Sequence, residues 1–182
     1  MSPTERSLFL LQNCRFFTLA SRPDTGEAWA STLNFVPAFS PVRLIWCSPK
    51  DARHSENIRQ HPLVSGSMFR TDLESISPVG LDGAQFTGLC REIAPAEVAA
   101  THTYFSQMNF PDAQQRAAWM PPLQEFISEG ARRFYEMKIA EWWLLDIDRW
   151  LETGLDKRLS LDLASVFDST EFAEDKFRSC HK

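Results

Sequence analysis

The chain has 182 residues, of which 43% are hydrophobic and 24% are charged, and its formal net charge is −5. This length favours one domain, and this composition excludes a disordered chain or a fibrous repeat. The acidic balance argues against nucleic acid as a partner, because binding of a duplex needs a basic surface.

The cysteines and the apolar runs indicate the compartment. Cys14, Cys47, Cys90 and Cys180 are widely spaced and form no CxxC pair, so neither a zinc ribbon nor a disulfide scaffold is predicted. The N-terminus lacks the basic region and the apolar run of a signal peptide, and the apolar runs elsewhere are far shorter than the ~20 residues of a membrane span. The sequence therefore predicts a cytoplasmic protein with no membrane partner.

The predicted elements begin with a capped helix, in which Ser2 is the N-cap, Pro3 the first helical residue and Glu5 the third. Alternating apolar residues then predict strands at 15–20, 28–35, 42–48, 63–69, 84–93 and 134–147. A short surface helix separates the third and fourth strands, with Asp51 as its cap and Pro62 as its stop. Two further helices are predicted at 95–107 and 112–129, the second broken at Pro121-Pro122.

Closely spaced strands with short turns favour antiparallel pairing, and no regular βαβ alternation is present. The sequence predicts a mainly β fold with flanking helices, built around a small antiparallel barrel over residues 1–150. Residues 151–182 are predicted to be an acidic appendix, docked or partly disordered, because 161–175 contains five acids and no base.

Several common catalytic motifs are absent, namely GxSxG, the P-loop, GxGxxG and HExxH. The four histidines share no metal-ligand spacing, so no metal site is predicted. The catalytic residues stay unassigned.

One segment combines groups that bind phosphate. A buried strand runs into Ser48, a turn carries Lys50, and the first turn of the next helix carries Arg53 and His54. A hydroxyl, a guanidinium, an imidazole and the helix N-terminal amides are the donors that phosphate binding needs. The residue types fit equally well an ordinary polar helix start, with Arg53 in a surface ion pair.

Three segments, taken together and in order, resemble the pyridoxamine 5'-phosphate oxidase-like, FMN-binding split-barrel superfamily. They are Ser48 with the Arg-His helix that ends at Pro62, the strand at 84–93 with Gln85 and Gly88, and the strand at 29–35. The resemblance covers roughly residues 14–93 and points to a poorly characterised branch. It implies an antiparallel Greek-key split β-barrel.

The resemblance also implies FMN as cofactor, held at the subunit interface of a homodimer. Arg53 would bind the FMN phosphate, His54 would occupy the position usually held by a lysine, and Ser48 would contribute its hydroxyl. Cys47 is included among the predicted cofactor-binding residues, although its apolar neighbours favour a structural role.

The strand residues Thr32, Leu33 and Asn34 would run beside the isoalloxazine ring. Gln85 would hydrogen-bond the ring or the ribityl chain. Either Trp142 or Trp143 is expected to face the partner subunit.

The predicted function is an FMN-dependent oxidoreductase acting on a small molecule. The arginine-rich C-terminal substrate segment of the vitamin-B6 oxidases is absent, so oxidation of pyridoxamine phosphate is not predicted. The alternatives are a haem- or deazaflavin-binding split-barrel protein and a non-catalytic flavin-binding module. Haem would need an axial ligand, for which His54, His61 and His102 are the candidates.

Overall fold

The computed structural model describes residues 1–75 and 77–163. The strands are β1 (Phe16–Ser21), β2 (Trp29–Asn34), β3 (Val36–Ala38), β4 (Arg43–Pro49), β5 (Leu63–Arg70), β6 (Asp82–Glu92), β7 (Arg132–Leu145) and β8 (Arg158–Leu161). The helices are α1 (Pro3–Asn13), α2 (Arg53–Gln60), α3 (Val98–Asn109), α4 (Ala113–Trp119) and α5 (Ile147–Thr153), with short 3-10 turns at Pro95–Glu97 and Leu123–Phe126.

The sequence predicts the N-caps of α1 and α2, and the structure confirms the first but not the second. At α1 the predicted capping box is present, because the Ser2 side chain accepts from the Glu5 amide and the Glu5 carboxylate accepts from the Ser2 amide. At α2 the prediction of an Asp51 cap is wrong. The N-cap is Ala52, which has no side chain able to cap, so the first amides of α2 have no capping side chain.

The strands form one antiparallel sheet in the order β2-β1-β5-β6-β7-β4-β3, with β8 paired to β7. Only Phe35 separates β2 from β3, which are the two edges of this sheet. One chain segment therefore joins both edges, and the sheet curls into a barrel. Helix α1 contributes Leu10 and Leu11 to its interior, and α2 contributes Ile58.

A second apolar cluster lies outside the barrel. Strand β4 alternates, so that Leu44 and Trp46 point into the barrel whereas Ile45 points outward. Ile45 and Phe134 are covered by Phe105 of α3 and by the 3-10 turn at Leu123–Phe126. Helices thus shield the outside of β3, β4 and the first half of β7.

A β-bulge in β7 decides which tryptophan enters the core. Thr87 pairs with Glu141 and Gly88 with Ile139, so Ala140 is the extra residue and the inward positions change from odd to even. Gly88 is required at this point, because a Cβ there would lie 2.3 Å from the Lys138 carbonyl oxygen. As a result Trp142 is fully buried, while Trp143 is only half-buried on the opposite face.

The face of β1, β2, β5, β6 and the second half of β7 that points away from the barrel interior is hereafter the outer face. One cross-strand row along it joins Thr32, Thr18, Ser67, Gln85 and Trp143. Four large apolar side chains are exposed on the same face, namely Phe16, Leu63, Phe69 and Leu89, at 55%, 68%, 71% and 55%. The outer face is therefore polar along its centre and apolar around it.

Three elements differ from the sequence prediction. The short edge strand β3 follows β2 directly, although Pro37 lies in it. Helix α5 and strand β8 follow β7, and Leu159 of β8 pairs with Leu144. The predicted domain boundary at residue 150 lies inside α5 and stays a prediction, and residues 164–182 of the acidic appendix lie outside the described residues.

Candidate functional site

The candidate site is built around the start of α2, where His54 links two strands. Its Nε2 lies 2.8 Å from Ser48 Oγ on β4, and its Nδ1 lies 3.3 Å from Ser31 Oγ on β2. Strands β2 and β4 are not hydrogen-bonded neighbours in the sheet, so His54 bridges the split in the barrel. A neutral imidazole has one donor and one acceptor, and each serine hydroxyl can serve either.

Burial lowers the pKa of His54 below its ordinary value of 6.5. In the window between that lowered value and 6.5, the unfolded chain binds a proton that the folded chain does not. The free energy of unfolding should therefore fall as the pH falls through this window. Urea unfolding between about pH 7.5 and about pH 5.5 should show a steeper loss of stability in the wild type than in His54→Gln. An identical slope in both proteins would assign the pH dependence to other groups.

Arg53, the first residue of α2, has its guanidinium between an aromatic ring and a carboxylate. Its Cζ lies 4.4 Å from the ring centroid of Trp29, and its Nη2 donates to Glu27 Oε2 at 2.8 Å. The Arg53 side chain is 42% exposed and that of Glu27 is 68% exposed. The Trp29 ring thus orientates the guanidinium, and the Glu27 carboxylate occupies it as an anionic partner. Both lie at the start of α2, which no side chain caps.

The loop that carries Glu27 is also attached to the other end of α2. The Asp24 amide donates to Gln60 Oε1 at 3.1 Å, and the Asp24 carboxylate lies 2.7 Å from His61 Nε2. The connection between β1 and β2 therefore lies along α2 and brings Glu27 to Arg53.

The three predicted residues of β2 point in two directions. Thr32 is exposed on the outer face, and Leu33 is buried in the barrel core. Asn34 is half-buried and donates from Nδ2 to the Arg15 carbonyl at 2.8 Å. Of these three, Thr32 is the one whose side chain is open to a ligand.

Cys47 and Ser48 lie on opposite faces of β4. Ser48 is buried beside His54, whereas Cys47 packs against the outer apolar cluster under α3. Burial raises the pKa of the Cys47 thiol, so the reactive thiolate is disfavoured. The position of Cys47 supports a structural role.

Gln85 is exposed at the centre of the outer face, and its Oε1 accepts from Arg158 Nε at 3.2 Å. Three strand spacings separate it from Thr32 along the same row, which is about 14 Å. The predicted residues thus form two groups. Ser48, Arg53 and His54 lie together at the start of α2, whereas Thr32 and Gln85 share the outer face without touching each other.

Four residues of this region were not predicted from the sequence, namely Glu27, Trp29 as a platform for Arg53, Ser31 and Arg158. The signal for the first two was an acid and an aromatic residue at the end of a turn that precedes a strand. No comparable signal marked Ser31 or Arg158, because their roles depend on which strands meet.

The described residues contain neither a cluster of metal-ligating side chains nor a membrane-spanning helix. No group of three His, Cys, Asp or Glu side chains among residues 1–75 and 77–163 could hold a metal ion. None of the helices in the same residues has both the length and the hydropathy that a membrane crossing requires.

Comparison with known proteins identifies the family. The family model described as pyridoxamine 5'-phosphate oxidase matches residues 4–146 of this chain. The chain belongs to the pyridoxamine 5'-phosphate oxidase family. The match spans most of the chain, so the predicted superfamily and the predicted split-barrel fold class are both confirmed. No curated protein matches the sequence significantly.

Solved structures support the same fold at low sequence identity. A heme binding protein from Mycobacterium smegmatis matches with a TM-score of 0.66 and 15% identity, over 92% of this chain and 61% of that one. A FAD-binding protein from Mesorhizobium loti matches with a TM-score of 0.56 and 16% identity, over 78% and 92%. An F420 reductase matches with a TM-score of 0.52 and 16% identity, over 73% and 92%. This chain thus spans less than two thirds of the Mycobacterium protein.

Proposed function

We propose that this family member is a homodimeric FMN-binding protein that acts as a flavin-dependent oxidoreductase on a small molecule. The proposal rests mainly on Arg53. Its guanidinium lies on the Trp29 ring and pairs with the Glu27 carboxylate at the uncapped start of α2. A phosphate monoester carries about two negative charges and would displace a single carboxylate from such a site.

The residues present fit the phosphate of FMN, with one change from the family-based expectation. Ser48 and His54 are buried and hydrogen-bonded to each other. We therefore expect them to fix the position of α2 and not to contact the phosphate. Arg53 and the amides at the start of α2 would bind it. Thr32 and Gln85, both exposed on the outer face, would contact the rest of the flavin.

Bound FMN would supply the redox chemistry, and the chain would supply position and shielding. This division of roles is consistent with the absence of a recognisable catalytic triad motif from the sequence. Arg53 would anchor the phosphate, and Gln85 would donate or accept a hydrogen bond at the edge of the ring.

The names of the structural relatives bring three ligands into consideration, namely haem, FAD and F420. Within residues 1–75 and 77–163, Nε2 of each histidine lies within 2.9 Å of an oxygen atom of the chain, so coordination of haem iron by that nitrogen would have to displace the oxygen, which disfavours haem. His54 bridges two serines, His61 lies beside Asp24, and His102 Nε2 lies 2.9 Å from the Pro121 carbonyl oxygen. A flavin needs no histidine ligand, so we favour it.

A second copy of the chain would cover the outer face. Exposed apolar patches on soluble proteins mark interaction surfaces, and Phe16, Leu63, Phe69 and Leu89 surround the polar row that contains Gln85. A flavin lying on this row would be shielded by the partner. Light scattering should return twice the chain mass of 20.9 kDa at low micromolar concentration. A mass of one chain across dilution, with FMN added, would contradict the homodimer.

The proposal is tested by titrating flavin-free protein with FMN and with riboflavin and following flavin fluorescence. FMN should bind more tightly than riboflavin, because only FMN carries the phosphate. Equal affinities would show that the start of α2 does not bind the phosphate.

Removing the competing carboxylate should strengthen FMN binding. An exposed ion pair contributes roughly 0.2–1 kcal/mol, so Glu27→Gln should raise the affinity for FMN by up to about fivefold. Riboflavin, which does not displace Glu27, should bind as before. Asp148→Asn on α5 removes the same charge from an exposed position away from Arg53 and is the control. Weaker FMN binding in Glu27→Gln would mean that Glu27 supports the site.

A further inference from the structure

A cavity of about 470 Å³ lies at the end of the sheet, between the β5–β6 connection, α5 and β8. This volume is within the range of small-molecule sites. The apolar lining consists mainly of Phe69, Val79, Leu81, Leu145 and Trp150. Aromatic and branched side chains therefore provide most of the contact surface for a bound molecule.

The charged side chains along this cavity are already neutralised. Arg70 pairs with Asp72, and Asp82 accepts two hydrogen bonds of 2.7 Å from Arg6. Arg158 donates to Asp156 at 2.5 Å and to Gln85 at 3.2 Å. An anionic ligand would have to compete with these partners, whereas an uncharged ligand would not.

Ser67, Thr71 and Gln85 are uncharged polar residues at the cavity, and Gln85 presents an amide that can orientate a ligand. Gln85 accepts a hydrogen bond from Arg158 through Oε1. Its amide nitrogen donates to no group within residues 1–75 and 77–163. An amide N–H donor at the edge of an apolar cavity matches a carbonyl or hydroxyl oxygen.

We propose that this cavity binds an uncharged aromatic molecule that carries a carbonyl or hydroxyl group. Such a molecule would lie next to Gln85, where the second reactant of a flavin reaction is needed. That catalytic role rests on the proposed function, but the binding itself does not depend on a flavin.

The test is equilibrium dialysis of flavin-free full-length protein against two probes of similar shape, 2-acetonaphthone and 2-naphthoate. The neutral ketone should bind at one site per chain, and the anion at least about tenfold more weakly, because its charge is desolvated without a free counter-charge. Equal affinities, or no binding of the ketone, would overturn the proposal.

The cavity is located by a matched pair of variants. Leu81→Gln puts an amide into the apolar wall and should weaken ketone binding by about tenfold. Leu151→Gln makes the same change at an exposed position of α5 that does not line the cavity and should leave binding unchanged. Both leucines are surface-accessible, so both variants should fold. An unchanged affinity in Leu81→Gln would place the ketone elsewhere. If the ketone binds as expected while FMN does not, the proposed function fails and this cavity stands.

Discussion

Replacing Arg53 with alanine should weaken FMN binding by about ten- to a hundredfold and leave riboflavin binding nearly unchanged. A hydrogen bond to a charged group contributes about 1.5–3 kcal/mol, and 1.4 kcal/mol corresponds to a factor of ten in affinity. The Arg53 guanidinium is preorientated on the Trp29 ring, so little of this contribution is lost in ordering the side chain. The measurement is a fluorescence titration of both flavins against wild type and Arg53→Ala.

The matched control is Arg149→Ala, an exposed arginine on α5 outside the candidate site. It removes the same charge from the chain and should change neither affinity. Equal losses for FMN and riboflavin in Arg53→Ala would mean that Arg53 supports the fold and not the phosphate. No loss for either flavin would remove the main support for FMN binding.

Replacing Trp142 with alanine should lower the free energy of unfolding by about 3–5 kcal/mol, as is usual for a large buried aromatic residue. Trp142 is fully buried, its ring stacks on Phe86 with centroids 5.3 Å apart, and its Nε1 donates to Ser7 Oγ at 3.0 Å. The variant loses this packing and leaves the buried Ser7 hydroxyl without its donor. Urea unfolding followed by far-UV circular dichroism measures the change.

The adjacent Trp143 provides the contrast, because it is half-buried on the outer face. Its replacement with alanine should cost the single chain much less and weaken association of two chains. The stability of Trp143→Ala should therefore depend on protein concentration less steeply than that of the wild type. If Trp143→Ala lowered the free energy of unfolding more than Trp142→Ala does, the assignment of Trp142 to the core and Trp143 to the outer face would be contradicted.

The parts of the fold that depend on neighbours in the chain could be predicted from the sequence. Ser2, Pro3 and Glu5 define the start of α1. The apolar residues Leu44, Ile45 and Trp46 predict a strand that is half or fully buried, and all three are buried in β4. The position of α2 follows from the polar segment between that strand and Pro62.

The parts that depend on which strands meet could not be predicted. The bulge at Ala140 exchanges the two faces of β7, so alternation before it gives the wrong face for the two tryptophans after it. Glu27 and Arg53 are 26 residues apart and meet only because the β1–β2 connection lies along α2. The same holds for Gln85 and Arg158, which come together through the pairing of β8 with β7.

The candidate site shows the same division. The segment from Ser48 to His54 could be assigned to phosphate binding by residue type, but the buried hydrogen bond between those two side chains was not predictable. The sequence suggested His54 as a cation for phosphate, but burial lowers its pKa, which favours the neutral imidazole that bridges Ser48 and Ser31. Of Arg53 and His54, Arg53 therefore remains as the charged side chain for phosphate.

The central claim, that this chain binds FMN, is tested most directly by the absorption spectrum of the freshly purified protein without added cofactor. We predict a yellow protein with the bands of an oxidised flavin, whose released ligand has the mass of FMN. A red-brown protein with the spectrum of haem would contradict the claim. So would a colourless protein that takes up no FMN when the cofactor is added.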